Sequence, residues 1–278
     1  MIIDTHQHFW KYDPLEFDWI DDELAAIRKD FLPGDLLKAT AGTGVEGVIS
    51  VQARQSQEET SWLLELAASH HLIKGVVGWL PLAGRDIRRL LDLYAANSRL
   101  KGLRHVVQGE ADPEFILGNA FNAGVSLLKE YNLLYEILIF AHQLPNAIRF
   151  VDRHPDQIFV LDHIAKPKIK AGTADEIRAW EQNIHELAKR ENVSCKISGM
   201  VTEADYRHWT PEQFQPYFDV VLEAFGPSRL LFGSDWPVCL VAAGYAAWLE
   251  LLKKVLSGLN PEEQDLIFYK NALKIYKL

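Results

Sequence analysis

The sequence is poor in several features that mark whole classes of protein. Its 278 residues include only two cysteines, Cys195 and Cys239, which lie far apart without a CxxC spacing. Neither a disulfide framework nor a zinc knuckle is therefore indicated, and a reducing compartment fits. The most apolar later run, 133–140, is interrupted by Glu136 and is too short to cross a bilayer. No export or anchoring signal is visible, so we expect a cytoplasmic protein with no membrane association.

Positive charge is also scarce. The chain has 29 lysine and arginine residues against 38 aspartate and glutamate residues, a formal net charge of −9. Nucleic acid and anionic membranes would be repelled overall, so neither is an expected partner. Hydrophobic residues make up 48% and charged residues 24% of the chain. These values exclude intrinsic disorder and favour a globular protein with a sizeable core.

Motifs for phosphate binding and for covalent catalysis are absent. The chain has no GxxxxGK[ST] phosphate loop and no GxSxG nucleophile elbow. A GxGxxG match occurs at 42–47, but it precedes a predicted strand, whereas a dinucleotide fingerprint follows one and opens a helix. We interpret 42–47 as a turn.

Eight short apolar runs recur along the chain with helical patterns between them. Nearly continuous Ile, Val, Leu and Phe is typical of parallel strands buried on both faces. The predicted strands are Ile2–Thr5, Val45–Gln52, Lys74–Leu80, Gly102–Val107, Leu133–Ala141, Gln157–Asp162, Val193–Ser198 and Leu230–Gly233. Helical segments lie between these runs, and some begin with a capping-box pattern, such as Ser56 followed three residues later by Glu59. We predict one α/β domain over 1–278, a (β/α)8 TIM barrel, with a doubly wound open sheet as the alternative.

One segment interrupts this alternation. Residues 9–35 follow the first strand and are aromatic and acidic, too polar for a strand and too broken for a single helix. In a barrel, an insertion after a strand lies at the carboxyl end, where active sites form. We therefore expect this segment to overhang the mouth of the site.

Histidines and one aspartate follow four of the predicted strands. His6 and His8 end the first strand at positions i and i+2, so both rings face the same side. His142 follows the fifth strand, His163 the sixth and Asp235 the eighth. Barrel enzymes carry their catalytic groups on this face. The sequence therefore predicts a site there, and the paired imidazoles suit a metal ion or an anionic intermediate.

Arginines near the strand ends are candidates for holding a polar substrate. Arg54 comes just after the second strand, and a guanidinium offers planar paired donors. Arg104 and His105 lie within the fourth strand, where side chains alternate, so only some of them turn inward.

Five segments, taken together and in order, resemble the amidohydrolase superfamily, in particular its branch of sugar-acid lactonases and 2-pyrone-4,6-dicarboxylate lactonase. An HxH pair alone is a weak signal, but its combination with the other segments is specific. The resemblance implies a distorted (β/α)8 barrel. The segments that carry it are Ile3–Trp10 (IDTHQHFW), Ile139–Pro145 (IFAHQLP), Val160–Pro167 (VLDHIAKP), Cys195–Gly199 (CKISG) and Phe232–Pro237 (FGSDWP).

The resemblance also bears on metal content. Two-metal members of the superfamily bridge their ions with a carboxylated lysine or a glutamate on the fourth strand, where this chain has Arg104 and His105. At most one divalent metal is therefore expected, with zinc preferred, and some of the resembling lactonases need none. The ligand set that the one-metal members use corresponds here to His6, His8, His142 and Asp235.

From these residues we predict hydrolysis of a sugar-acid lactone, a small-molecule substrate. Asp235 is the expected general base, while the histidine cluster with His142 and His163 holds the charge that develops on the carbonyl oxygen. A metal-dependent non-oxidative decarboxylase and a noncatalytic sugar-acid binding protein are the alternatives.

Four further side chains are predicted to bind the substrate. Trp10 and Trp236 offer faces on which a sugar ring stacks, with wall packing as the alternative role. Arg54 and His105 are expected to bind hydroxyl groups. The sequence does not indicate an oligomeric state.

Overall fold

Eight parallel strands form the centre of the computed structural model, which describes residues 1–278. They pair in chain order, each with the next. Every strand is buried along most of its length, which accounts for the nearly continuous apolar runs. The strands are β1 (Ile2–Gln7), β2 (Val45–Val51), β3 (Ile73–Gly78), β4 (Leu100–His105), β5 (Leu134–Ile137), β6 (Phe159–Leu161), β7 (Val193–Ile197) and β8 (Leu230–Phe232).

The sheet nearly closes on itself at its carboxyl end. Gln7 of β1 forms a parallel bridge with Trp236, just beyond β8. On either side of this bridge, His8 donates its backbone N–H to the Trp236 carbonyl over 2.7 Å, and Asp235 donates to the His6 carbonyl over 2.8 Å. The prediction of a (β/α)8 barrel is therefore confirmed, and the open-sheet alternative is wrong.

Helices alternate with the strands around the barrel. Ser56 caps one of them by accepting the Glu59 backbone N–H over 3.1 Å, as the capping-box pattern predicts. None of the helices is both long and apolar enough to cross a bilayer. The helices are α1 (Pro33–Ala39), α2 (Gln57–Ser69), α3 (Ile87–Tyr94), α4 (Asn119–Val125), α5 (Leu144–Asp152), α6 (Ala174–Ala188), α7 (Pro211–Phe225), α8 (Tyr245–Val255), α9 (Pro261–Asp265) and α10 (Asn271–Ile275), with a π-helical turn at Leu266–Lys270.

The fifth strand is shorter than the sequence predicts. It ends at Ile137 and not at Ala141, and a 3₁₀ turn covers Ala141–Gln143. The Phe140 N–H donates to the side-chain oxygen of Gln143 over 2.9 Å, which stabilises this turn. His142 lies in the turn and not at the end of the strand.

The core has two parts. The larger part packs the helices against the outside of the barrel. The smaller part fills the barrel near its amino-terminal end, where Ile3, Ile49, Val77 and Leu134 meet Tyr276 from the end of α10. The last helix therefore covers the end of the barrel opposite the strand carboxyl ends.

The segment 9–35 lies over the carboxyl ends of β1, β2 and β8, as predicted. Trp10 bridges to Phe31 in antiparallel fashion. The Phe31 ring packs edge-on against Trp236, with ring centroids 5.2 Å apart. Arg54, just after β2, forms an ion pair with Glu16 of the segment.

Candidate active site

Three of the predicted residues form a compact group at the mouth of the barrel. His6 Nε2 and His8 Nε2 lie 3.2 Å apart. Asp235 Oδ1 is 3.4 Å from His8 Nε2 and 3.8 Å from His6 Nε2. All three side chains are buried, and their nitrogen and oxygen atoms are close enough to share one cation.

The seam of the barrel brings these residues together. Asp4 Oδ1 accepts the backbone N–H groups of His6, over 3.0 Å, and of Ser234, over 2.9 Å. Asp4 Oδ2 accepts the hydroxyl of Tyr245 over 2.9 Å. One buried carboxylate therefore fixes the start of the HxH segment against the residue before Asp235.

His163 approaches the group from β6. Its Nε2 lies 3.9 Å from Asp235 Oδ1, and its Nδ1 lies 2.9 Å from Ser198 Oγ. His163 begins a run of four residues, 163–166, with φ values from 48° to 62°. A left-handed run without glycine is strained, because each such residue costs roughly 1–2 kcal/mol. Trp180 supports this turn by donating its indole N–H to the Ile164 carbonyl over 2.7 Å.

Asp235 is held in an unusual backbone conformation, with φ of 57°. Burial raises the pKa of its carboxyl, but the positive charge that His163 and His8 carry when they are protonated attracts the carboxylate and outweighs burial. The net pKa therefore lies below the ordinary value of 3.8. Asp235 is ionised at neutral pH, which is the form that accepts a proton.

The surrounding histidines are neutral at pH 7. Burial lowers the pKa of His6, His8 and His163, most strongly for His6 and His163. The nearby Lys196 ammonium lowers the pKa of His6 further. Neutral imidazoles keep a lone pair free for a cation or a proton.

Beneath these residues lies a cluster of charges that the sequence analysis did not identify as part of the site. Arg104 of β4 bonds Asp162 Oδ2 over 2.9 Å and lies 3.2 Å from His6 Nε2. Lys196 of β7 lies 3.1 Å from Asp162 Oδ1 and 2.6 Å from Glu136 Oε2. Burial raises the pKa of Glu136, whereas the Lys196 ammonium opposes that rise. The sequence did contain one sign of this cluster, namely Lys196 within the apolar run CKI. A strand buried on both faces leaves a lysine side chain no path to solvent, so the lysine needs buried acidic partners.

His142 does not join this group. It is exposed, and its ring stacks on Phe140 with centroids 6.0 Å apart. The predicted ligand set therefore needs correction, because the turn at Ala141–Gln143 carries His142 away from His6 and His8. His142 instead lines a cavity of about 660 Å³ with Lys166 and Glu203.

The wall of this cavity is formed largely by the segments that follow β5 and β6 and by α6, and none of His6, His8, His163 and Asp235 lines it. Lys166 ends the left-handed turn that begins at His163. Burial raises the pKa of Glu203, and the neighbouring charges that act on it are those of Lys166 and Asp235. The remaining wall includes Phe140 and Trp180. The volume of the cavity is in the range of pockets that bind small organic ligands.

The two tryptophans predicted to stack on substrate are instead packed into the wall. Trp10 and Trp236 are only 1% and 2% exposed. Trp10 donates its indole N–H to the Lys29 carbonyl over 2.9 Å, and Trp236 packs against Phe9 and Phe31. Neither ring has a free face, so wall packing, the alternative role, is the one observed.

The other two predicted substrate contacts have protein partners. Arg54 is paired with Glu16 and lies 3.8 Å from Glu59, beneath the segment 9–35. His105 Nε2 lies 2.6 Å from Glu110, and His105 Nδ1 accepts the Trp79 indole N–H over 3.1 Å. Both side chains lie near the mouth but are engaged by these neighbours.

Comparison with known proteins gives consistent matches over the full length of the chain. The family model described as amidohydrolase matches residues 3–278. An L-fucono-1,5-lactonase of Burkholderia multivorans is 36% identical over 284 residues, covering 99% of this chain and 96% of that protein. An L-fucono-1,5-lactonase of Burkholderia ambifaria is 34% identical, covering 99% and 95%. A crystal structure of a B. multivorans amidohydrolase with bound zinc is 36% identical, with a TM-score of 0.96, and covers 100% of this chain and 99% of that chain.

Proposed function

The chain belongs to the amidohydrolase family, and from this premise we propose that it opens a sugar-acid lactone to the free sugar acid. The observation that carries this proposal is the ionised Asp235 beside neutral histidines at the barrel mouth, in a chain similar over its full length to two L-fucono-1,5-lactonases. The enzyme is a hydrolase of cyclic esters. The sequence-based prediction of a lactonase is thereby confirmed at the level of the reaction class.

We assign L-fucono-1,5-lactone or a closely related hexonolactone as the substrate. Such a lactone is neutral and rich in hydroxyl groups. The cavity of about 660 Å³, whose wall includes Lys166, three residues beyond His163, is large enough for a ligand of this size. Its polar groups, His142, Lys166 and Glu203, supply donors and an acceptor for hydroxyls. In this proposal His142 binds the substrate and is not a metal ligand.

Asp235 acts as the general base. A lactone is an activated ester, so a positioned water and a proton acceptor suffice for attack on its carbonyl carbon. The Asp235 carboxylate takes one proton from that water as the new C–O bond forms. When the tetrahedral intermediate collapses, the ring C–O bond breaks and the departing alkoxide takes the proton back from Asp235.

His163 supplies a hydrogen-bond donor for this sequence. Its Nδ1 contacts the Ser198 hydroxyl over 2.9 Å, and when that hydroxyl donates, Nε2 carries the ring hydrogen. Nε2 faces Asp235 and is therefore aimed at the reacting atoms. A fixed donor at this point stabilises the negative charge on the carbonyl oxygen in the transition state.

The residues present fit one divalent metal ion. His6 Nε2, His8 Nε2 and Asp235 Oδ1 form a two-nitrogen, one-oxygen set of the kind that zinc accepts. A bound zinc ion would polarise the carbonyl and lower the pKa of a coordinated water. The similar B. multivorans protein holds zinc in its crystal structure. Arg104 and Lys196 already fill the space around Asp162 with positive charge, which opposes a second ion.

A substrate panel tests the proposal. The purified protein is assayed for acid release from L-fucono-, L-rhamnono-, D-galactono- and 2-pyrone-4,6-dicarboxylate lactones, and for carbon dioxide release from aromatic acids. We expect the highest kcat/KM for L-fuconolactone and no carbon dioxide. A preference for the pyrone would overturn the substrate assignment, and carbon dioxide release would overturn the reaction class. A cytoplasmic location and the lack of nucleic-acid and membrane partners stay predictions from the sequence.

A further inference from the structure

The ring of His6 is contacted by donors at both of its nitrogens. Lys196 Nζ lies 3.2 Å from Nδ1, while Arg104 Nη1 and His8 Nε2 each lie 3.2 Å from Nε2. A neutral imidazole carries one ring hydrogen and accepts at the other nitrogen only. The surroundings of His6 must therefore select one of its two tautomers.

The partner of His8 fixes the tautomer of that residue. His8 Nδ1 lies 2.8 Å from the backbone carbonyl oxygen of Val51, which only accepts hydrogen bonds. Nδ1 therefore carries the ring hydrogen of His8, and Nε2 has a free lone pair. That lone pair faces His6 Nε2, so a hydrogen on His6 Nε2 has an acceptor.

Lys196 fixes the other side of His6. An ammonium group has three hydrogens and accepts nothing, and Lys196 Nζ has three neighbours: Glu136 Oε2 at 2.6 Å, Asp162 Oδ1 at 3.1 Å and His6 Nδ1 at 3.2 Å. Of these contacts the one with Nδ1 has hydrogen-bond geometry, and because an ammonium only donates, Nδ1 accepts; the two carboxylate oxygens are held as ion pairs. The hydrogen bonds then run in one direction, from Lys196 to His6, His8 and Val51.

The opposite tautomer is less well satisfied. A hydrogen on His6 Nδ1 would point at the Lys196 ammonium, with Asp162 Oδ1 at 3.4 Å as its remaining acceptor. The bare Nε2 would then face the bare Nε2 of His8. Arg104 Nη1 has two hydrogens and would donate one to Nε2 over 3.2 Å and the other to Asp162 Oδ2 over 2.9 Å. This tautomer therefore keeps the hydrogen bond from Arg104 but gives up both the bond from Lys196 and the bond to His8.

We infer that Lys196 is a positioning residue that holds His6 as its Nε2-protonated tautomer in the metal-free enzyme and thereby weakens metal binding at His6 and His8. A metal ion needs the Nε2 lone pair of both rings. To free the Nε2 lone pair of His6, the ring hydrogen must move to Nδ1, which the Lys196 ammonium contacts. The ammonium charge also repels a cation on the other side of the ring.

The position of Lys196 is itself fixed. The side chain is wholly buried, and its partner Glu136 accepts the hydroxyl of Tyr276 over 2.7 Å at its other oxygen. The end of the chain thus holds the lysine in place. This inference concerns the metal-free protein and does not depend on the identity of the lactone.

Nitrogen NMR of the metal-free protein labelled with ¹⁵N-histidine tests the tautomer directly. The ring ¹⁵N shifts of His6, assigned by their loss in His6→Gln, should show a hydrogen on Nε2 in the wild-type protein. In Lys196→Met the hydrogen should move to Nδ1 and donate to Asp162. Zinc affinity, measured by competition with a chromophoric chelator, should rise at least tenfold in the same variant.

Lys101→Met is the matched control, because it makes the same change on β4, where Lys101 is half-buried and its Nζ donates to the Lys277 carbonyl over 3.1 Å. It should keep the wild-type tautomer and zinc affinity. A wild-type His6 protonated on Nδ1 overturns the inference, and this measurement requires no variant of Lys196. A folded Lys196→Met protein that keeps either the wild-type tautomer or the wild-type zinc affinity also overturns it.

Discussion

Ser234 donates its backbone N–H to Asp4 Oδ1 over 2.9 Å, across the seam where the barrel closes. The same oxygen accepts the His6 backbone N–H, so the first and last strands meet at one buried carboxylate. Burial raises the pKa of Asp4 to about 6, although its hydrogen bonds oppose that rise. The group formed by His6, His8 and Asp235 lies at this seam, and the stability of the barrel and the geometry of the candidate site depend on the same contacts.

We expect Asp4→Ala to destabilise the protein by about 2–5 kcal/mol. The variant leaves two backbone N–H groups and the Tyr245 hydroxyl buried without an acceptor, and each such group costs about 1–3 kcal/mol. The free energy of unfolding, measured in urea, checks this value. Tyr245→Phe removes one of the three hydrogen bonds and should cost about 1 kcal/mol. Equal losses in the two variants would contradict a central role for Asp4 at the seam.

The fold was predictable because its strands are buried on both faces. Each apolar run of the sequence corresponds to one strand, and eight strand–helix units leave few architectures other than a closed barrel. The ends of strands were less predictable. The run 133–141 is apolar throughout most of its length, yet β5 stops at Ile137, and the Gln143 side chain stabilises a turn at Ala141–Gln143 by accepting the Phe140 N–H.

The site residues were predictable where a titratable side chain directly follows a strand. His6, His8, His163 and Asp235 meet as expected because strand carboxyl ends converge in a barrel. His142 was misplaced by the same turn that shortens β5. The two tryptophans were misassigned because aromatic residues near a mouth serve equally well as wall, and the sequence does not show the segment 9–35 folding over them.

We expect Gly199→Ala to impair catalysis by displacing His163. Gly199 has φ of 65°, and a Cβ atom there would lie 2.5 Å from His163 Nδ1. The ring would have to shift away from Ser198 and Asp235, so kcat should fall at least about tenfold. Gly226→Ala is the control, because Gly226 has φ of 64° with no atom within 4 Å of the added carbon. It should lose stability but keep its kcat, and a similar kcat loss in both variants would assign the effect to stability alone.

The pH dependence of kcat/KM should show an acid limb centred below pH 6.5. Burial lowers the pKa of His6, His8 and His163 from the ordinary value of 6.5, so these rings stay neutral until the pH falls further. Asp235 stays ionised over the same range because its pKa is also lowered. Initial rates between pH 5 and 8, corrected for spontaneous lactone hydrolysis, measure this limb. A midpoint at or above pH 6.5 would contradict neutral, buried histidines.

Zinc content should not exceed one ion per chain, and His8 but not His142 should determine it. His8 Nε2 lies within 3.4 Å of both His6 Nε2 and Asp235 Oδ1, whereas His142 is exposed in its turn. Dialysis against zinc followed by elemental analysis measures the stoichiometry. His8→Gln should weaken zinc binding at least about tenfold, and His142→Gln should leave it unchanged. Two ions per chain at full occupancy would be incompatible with the charges of Arg104 and Lys196 beside Asp162.

Asp235→Asn should remove nearly all activity and leave the fold intact. The amide keeps the shape of the carboxylate but cannot accept a proton from water, and loss of a general base costs about a hundredfold to ten-thousandfold in kcat. Asparagine also tolerates the left-handed backbone that Asp235 adopts, with φ of 57°, so the seam should survive the change. Circular dichroism and the melting temperature verify folding, while kcat and KM are measured with L-fuconolactone. Asp156→Asn, a matched change at an exposed aspartate paired with Lys129, should retain full activity. If Asp235→Asn keeps more than half of the wild-type turnover, the base must be sought elsewhere among the groups that line the mouth.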